Sequence, residues 1–358
     1  MPIDWSRSLR ISWRHMLVDP ATWLDVRPLG AVVSHEITWD GSTQELLSSS
    51  LVVDGPLPPW SVVRTWADVT RGGVTERHAV ATVLTEPPKE SSDGTWVQRA
   101  FVGHSPLSDL SGDVESGNYP GIGWTAPTSV SEAIGEICSH MRAPLVPYAT
   151  SATLSAPPVA AEGDTWLDLL WAVLDAASLS MVVDGMGRVV IVPAPDPWAL
   201  GATLTLSDTD ERGQLEAEVT REGSIWGIPN VVEVVVSGHG SCVRSRVVND
   251  DPSSLTSTVR RGMVRIHRET NPDGLLAGSA QAAVDAYAAR RLRELSVVER
   301  TWSLGYGWVP VRPGDALRLV HGRIGADEVV VVDSAKLSCD TAASLRLECT
   351  STRSLWEG

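Results

Sequence analysis

DTWLDLLWAVLDAASLSMVVDGMGRVVIVP, residues 164–193, reads as a helix that hands over directly to a β-hairpin. Asp164 carries the short carboxylate that caps a helix by accepting the free amides of its first turn. Trp166, Leu169, Leu170, Val173, Leu174 and Ala177 recur at helical spacing, so one face is apolar and must be buried. After Ser178 the pattern switches to strand-like apolar runs, Leu179 to Val183 and Val189 to Val192. Asp184-Gly-Met-Gly187 between them supplies the glycines a tight turn needs. The unit holds no nucleophile, metal site or phosphate loop; it is scaffold.

On its N-terminal side the chain reads as β. Val32 to Trp39, Glu45 to Val53, Trp60 to Asp68, Val74 to Leu84 and Thr95 to Val102 are separated by turn clusters such as Asp54-Gly55-Pro56 and Arg71-Gly72-Gly73. Short strands at this spacing predict a sandwich or barrel. Residues 109–128 are rich in Gly, Pro and Ser and read as a linker or long loop. A short helix follows, capped by Thr128 or Ser129, with Val130, Ile134, Ile137 and Met141 as its buried stripe.

Beyond the hairpin, Val231 to Val236 is an apolar strand with Glu233 as its one charge. A polar loop over 249–275 surrounds a strand from Gly262 to His267. A second long helix is expected over Ser279 to Leu295, with Arg290, Arg291 and Arg293 in its last third, where cations complement the helix dipole. Strands then run to the end: Arg300 to Trp308, Ala316 to Val320, Glu328 to Asp333 and Ser344 to Thr350, the second fed by the Pro313-Gly314-Asp315 turn. At 358 residues the chain is too long for one ordinary core. The expected division is an N-terminal β-barrel-like domain (1–108), a linker and α/β middle domain with the helix–hairpin (109–198), a β-rich domain (199–275), and a helix followed by C-terminal barrel strands (276–358). The fold class is thus mixed β with α/β segments.

Composition narrows the function. The formal net charge is −15, a surface that repels nucleic-acid phosphates and argues against specific DNA or RNA binding. It remains compatible with DNA passing through an acidic pore. There are 15 tryptophans against one Phe and 4 Tyr. Tryptophan suits wide sheet faces and protein–protein interfaces, and a biased genomic composition explains the count equally well. Cys138, Cys242, Cys339 and Cys349 lie far apart without a C-x-x-C pair, so neither a zinc motif nor a disulfide framework is expected, although Cys339 and Cys349 could face each other across a hairpin. The N-terminus lacks the apolar core of a signal peptide, and no apolar run is long enough to span a membrane. The expected setting is a protein made in a cytoplasm.

Enzyme signatures are missing. The eight histidines, His35, His78, His104, His140 and His239 among them, form no H-x-x-x-H or H-E-x-x-H pair, and G-x-S-x-G, P-loop and G-x-G-x-x-G patterns are absent. Gly238-His-Gly-Ser-Cys242 follows a strand where a hairpin turn belongs. Asp208-Thr-Asp210-Glu211 lacks the twelve-residue calcium-loop pattern and reads as a solvated acidic turn. Asn249-Asp250-Asp251-Pro252 reads as an Asx turn. Glu216 and Glu218 share a strand face, a coincidence expected among 44 acidic residues. No catalytic, cofactor-binding or metal residue is expected.

Several phrases, in this order, resemble the tail hub, or tail-associated minor tail, proteins of long-tailed phages of actinobacteria. They are ITWDGSTQELLSSSLVVDG (37–55), DGMGRVVIVP (184–193), WGIPNVVEVVVSG (226–238), VVNDDPSSLTSTVRRG (247–262), AYAARRLRELS (286–296) and VRPGDALRLV (311–320). The resemblance implies barrel-like β domains with α/β insertions, assembled as a trimeric ring at the tail tip of the virion. Such a ring sits beneath the hexameric tube or distal tail ring and surrounds the path of the tape measure protein and DNA. Its implied partners are copies of itself, the distal tail or tube protein, the tape measure and other tip or receptor-binding proteins. Larger relatives append peptidase, lysozyme-like or receptor-binding domains, whereas this chain ends at Gly358 soon after its last strand, which argues against a self-contained cell-wall enzyme. The competing readings are a hexameric distal tail ring, a host-glycan or receptor-binding module, and a peptidoglycan hydrolase.

Overall fold

The computed structural model describes residues 3–7, 9–92, 97–114, 124, 126–154, 157–160, 163–194, 201–209, 215, 220–222, 225–238, 241–272 and 280–354. The chain divides into two units, Met1–Val219 with Ser303–Cys349, and Thr220–Trp302 with Thr350–Gly358. In chain order the first stretch forms β1 (Arg10–Val18), β2 (Asp25–Pro28), β3 (Val32–Asp40), β4 (Leu47–Val53), β5 (Val62–Arg71), β6 (Val74–Thr85), β7 (Lys89–Ser92) and β8 (Val97–His104). The α/β segment is β9 (Thr128–Ser129), α1 (Val130–Cys138), β10 (Thr153–Leu154), α2 (Trp166–Ala176), the hairpin β11 (Leu179–Val183) and β12 (Val189–Pro193), then β13 (Leu204–Ser207). β14 (Thr220–Glu222), β15 (Val231–Gly238), β16 (Ser241–Val248), α3 (Thr258–Arg261), β17 (Ile266–Thr270) and α4 (Gln281–Leu295) follow, and β18 (Val297–Gly307), β19 (Ala316–His321), β20 (Ala326–Ser338) and β21 (Ser344–Ser354) close the chain.

In the first unit the sheet path runs β20-β3-β4-β8-β6-β5-β1-β2. The long β20 pairs with β19 through its first half and with β3 through its second, so it carries the sheet from the C-terminal strands to the N-terminal ones. β8 pairs with β4 over six residues but touches β6 only at Leu84–His104 and Thr85–Gly103, a narrow join at which the sheet turns a corner. Gly103 occupies that corner because a Cβ there would collide with the Ser49 hydroxyl and lie 3.0 Å from Val83 Cγ2. The expectation of barrel or sandwich domains is met by an extensively β architecture, but among the described residues the strand path stays open and no closed barrel forms.

The helix–hairpin unit is as the sequence predicts in kind, with one correction at its start. The N-cap of α2 is Thr165, not Asp164. The Thr165 hydroxyl accepts from the Asp168 amide at 3.1 Å, and the Asp168 carboxylate accepts from the Thr165 amide at 2.8 Å, a reciprocal pair that Asp164 could not form one residue earlier. Leu167, Leu169, Leu170, Val173 and Leu174 are buried against α1 and the hairpin.

The hairpin tip is seated on β5 and β6. Arg64, only 1% exposed, donates from Nη2 to the Met186 carbonyl (3.0 Å) and the Trp23 carbonyl (3.2 Å), and from Nη1 to Asp25 (2.7 Å). The Trp23 indole also donates to Met186 O at 2.7 Å, and the Thr82 hydroxyl to Gly185 O at 3.0 Å. Two glycines make the approach possible. A Cβ at Gly185 would strike the Ala79 carbonyl, and Gly187, at φ +74°, would place one 2.7 Å from Thr82 Cβ. A buried guanidinium without partners would be very costly; here one carboxylate, two carbonyls and the Thr82 hydroxyl, which accepts from Nε at 3.1 Å, satisfy it.

The second unit is a β16-β15-β17 sheet with α4 on one face. Val232, Val234 and Val236 pack against Val284, Ala288 and Leu292. β17 begins four residues and ends three residues later than the Gly262 to His267 run expected from the sequence, because its helix-facing positions are His267 and Glu269 rather than aliphatics. Glu269 fastens the helix to this strand. It accepts from His267 Nε2 (2.8 Å), Tyr287 OH (2.9 Å) and Arg291 Nε (2.7 Å). Burial acts to raise its pKa, but these donors outweigh burial and hold it at about 2. The 249–262 loop is tied to the sheet by the fully buried Asn230, whose Nδ2 donates to Thr256 O and Met263 O and whose Oδ1 accepts from the Arg265 amide.

Two stability predictions follow from these contacts. Gly185→Ala should destabilise the first unit by about 1–3 kcal/mol, as an overpacked contact does, whereas Gly135→Ala in α1, where a Cβ meets nothing, should stabilise it by about 0.5–1 kcal/mol. Denaturant unfolding of both variants checks the pair. The depressed Glu269 pKa contributes stability that is full above the ordinary carboxylate pKa and is lost as pH falls through about 2. Glu269→Gln should therefore lower stability at pH 7 and flatten the acid limb of the second unit's stability profile between pH about 5 and about 2, measured by thermal unfolding across pH.

Candidate functional site

The residues weighed for chemistry are dispersed into structural roles. Gly238 pairs with Ser241 at the β15–β16 turn, and Cys242 is exposed on β16; His239 and Gly240 lie outside the described residues. Asp208 accepts from the Gly322 amide at 2.9 Å and lies 3.3 Å from His321 Nδ1, while Asp210, Glu211, Glu216 and Glu218 lie outside the described residues. Asp251 accepts from the amide and hydroxyl of Ser253, the Asx turn expected there. In α4, Arg291 engages Glu269 and Glu294, and Arg290 lies 5.2 Å from the Tyr287 ring centroid and pairs with Glu294. All four cysteines are free thiols; burial pushes the pKa of Cys138 and of Cys349 up to about 12 and that of Cys339 up as well, so each stays protonated unless an ion displaces the proton.

One cluster has no counterpart in the sequence reading. His15 of β1, His35 of β3 and Cys339, just past β20, come together. Burial lowers the His15 pKa to about 4, and burial with the neighbouring His15 lowers that of His35 to about 3, so both imidazoles are neutral at physiological pH. No local motif signals this set, because the three positions are remote in the chain and only the sheet order unites them.

The surface of each unit carries further candidate features. In the second unit, the sheet face turned away from α4 carries a row of Val248, Val231 and Ile266, and two residues along it a row of Arg246, Glu233 and Arg268. Glu233 is 5% exposed and is approached by Arg268 (2.9 Å), Arg244 (3.0 Å) and Arg246 (3.6 Å). The Arg268 hydrogen bond is the largest influence holding its pKa below the usual range. Three arginines around one carboxylate leave this face cationic on a chain whose formal net charge is −15. Trp226, 63% exposed, stands 5.3 Å from the Arg265 guanidinium. Val231 and Glu233 at the centre of the face are buried, while Val248, Ile266 and the arginines on the flanking strands are accessible, and arginine and tryptophan are enriched in protein–protein contacts.

The first unit presents tryptophans in a different way. Trp308 meets Trp5 and Trp13 edge-on, with centroids 5.5 and 5.7 Å apart, and His78 joins them. This cluster ties N-terminal to C-terminal strands. Trp60 and the edge strand β2 are exposed. Sheet edges and exposed aromatic residues are places where another chain can pair or pack.

No protein-family model matches this sequence, and no curated protein matches it. Solved structures do match over nearly its whole length. A tail protein from Neisseria meningitidis superposes at TM-score 0.57 and 14% identity, covering 95% of this chain and 97% of that one. The 43 kDa tail protein of prophage MuSo2 from Shewanella oneidensis superposes at TM-score 0.58 and 13% identity, covering 96% and 98%. A chain of the Francisella PdpA–VgrG complex gives TM-score 0.55 at 8% identity, with 96% of this chain but 58% of that one covered. The chain shares its fold with these two tail proteins and with the PdpA–VgrG chain.

Proposed function

We propose that this chain is a structural subunit of the tail tip of a long-tailed phage, forming a trimeric, ring-shaped hub that joins the tail tube to the tip and surrounds the tape measure and DNA path. The observation that carries the reading is the end-to-end correspondence with two tail proteins, one of them from a prophage, in which neither chain has a large unmatched segment. A hub of this kind works through surfaces. The arginine-bearing sheet face, the exposed tryptophans and the sheet edge at β2 supply such surfaces. The actinobacterial host belongs to the proposal on the strength of the sequence phrases at 37–55, 184–193, 226–238 and 311–320.

The acidic balance fits the same role. A conduit lined by carboxylates repels phosphates and lets DNA pass without adhering. On this reading acidic side chains face the ring's inner wall, and the cationic sheet face of the second unit contacts a neighbouring protein.

Quantitative mass spectrometry of purified particles against the major tube protein tests the proposal. About three copies per particle are expected, because closed ring symmetry fixes the count. About six, on the same symmetry argument, would replace the hub with a distal tail ring, and absence from the particle would overturn the structural role.

A further inference from the structure

His15, His35 and Cys339 sit where the open sheet of the first unit comes back on itself. Among the described residues β1 and β3 share no ladder hydrogen bonds, yet their side chains meet. His15 Nε2 lies 3.1 Å from His35 Nδ1, with ring centroids 5.1 Å apart at 61°. The Cys339 amide donates to the His35 carbonyl at 2.9 Å, extending the β20–β3 ladder by one step and bringing the thiol alongside. The Trp13 indole crosses the same seam to Asp340 O at 2.7 Å.

One ligand-capable atom from each of the three residues lies within 4.8 Å of the other two. Donors bound to one tetrahedral zinc, at about 2.0–2.1 Å for nitrogen and about 2.3 Å for sulfur, stand roughly 3.3–3.8 Å apart. Side-chain adjustment of about 1 Å closes the set around an ion. A second observation points the same way. His35 is 2% exposed, and its Nε2 is buried without a hydrogen-bond partner, while Nδ1 is shared between His15 and the Thr65 hydroxyl at 3.2 Å. A buried imidazole ordinarily satisfies both nitrogens, and an ion would use the capacity left over here.

The nearby carboxylates are otherwise engaged. Asp340 accepts from the Ala342 and Ala343 amides, and Asp25 from Arg64 and the Trp66 indole. His15 and Cys339 also line a groove of about 940 Å³, together with other residues of β1 and Asp340 and Thr341. Two imidazoles and a thiol form a set for Zn²⁺, not for the oxygen-seeking Mg²⁺ or Ca²⁺.

We propose that His15, His35 and Cys339 bind one Zn²⁺, with water as the fourth ligand, and that the ion fastens β1 to β3 and to the end of β20 across the open seam. Binding forms a Zn–thiolate bond, and the thiol proton leaves to solvent. The site is independent of the hub reading, since it rests on intrachain geometry alone.

The test uses the reduced full chain, stripped with chelator and titrated with Zn²⁺ or Co²⁺ alone. The expected result is one metal per chain, a higher melting temperature with Zn²⁺, and a thiolate-to-cobalt charge-transfer band with Co²⁺. Changes outside the coordination sphere already cost metal sites about 10–100-fold in affinity, so Cys339→Ser should cost about 100-fold or more and abolish the band. His15→Gln, on a half-buried position, should weaken binding while circular dichroism stays unchanged, and Cys242→Ser, which removes the exposed competing thiol, should bind as the parent does. No stoichiometric metal in the parent chain, or a cobalt band that survives Cys339→Ser, would overturn the site.

Discussion

The buried guanidinium of Arg64 is the contact on which the first unit's arrangement depends. It gathers Asp25 from the edge strand, the Trp23 carbonyl from the loop before it, and the Met186 carbonyl from the hairpin tip. The α/β segment therefore does more than cover a sheet through apolar contact. A charged group fixes which residue of the hairpin meets which residue of β5, and the glycines on either side of Met186 allow the backbones to touch. Hydrophobic burial alone is non-directional and would tolerate sliding. The hydrogen-bonded seat does not, because displacement would leave a buried cation and several carbonyls unpaired.

The second unit uses the same device on a smaller scale. Valines on one face of β15 pack on α4, and the register is fixed by polar groups: Glu269 between strand and helix, Asn230 between strand and loop. On the other face Glu233 gathers three arginines at the surface. Rigid, register-locked units with polar and aromatic outer faces suit a subunit held in a fixed place by neighbours. The correspondence in fold is with tail proteins.

Much of this was legible in the sequence where local periodicity carries the information. The switch from helical to strand spacing at Ser178 located α2 and the hairpin, and Ser178 itself adopts φ +55° at the junction. The stripe of α1 and the strands β3 to β6 and β8 were also readable, within a few residues at their ends. The cap of α2 was misplaced by one residue because Asp164 and Thr165 are both good caps, and only the reach of Asp168 decides between them. β2 and β7 are fully exposed and short, so no apolar face betrays them. β1 carries Trp13 and His15 where aliphatics would mark a strand, and went unread. α3 is four residues long within a polar loop. Long-range juxtapositions left no local trace at all: Arg64 under Met186, and His15 with His35 and Cys339, exist only once the sheet order is known.

A cryo-electron microscopy reconstruction of the intact tail tests the proposed place in the assembly most directly. Three copies of this fold are expected around the tail axis at the tip, directly below the tube, with carboxylates lining the channel. A tip ring built from other chains, or a channel wall of this chain that is neutral or basic, would contradict it.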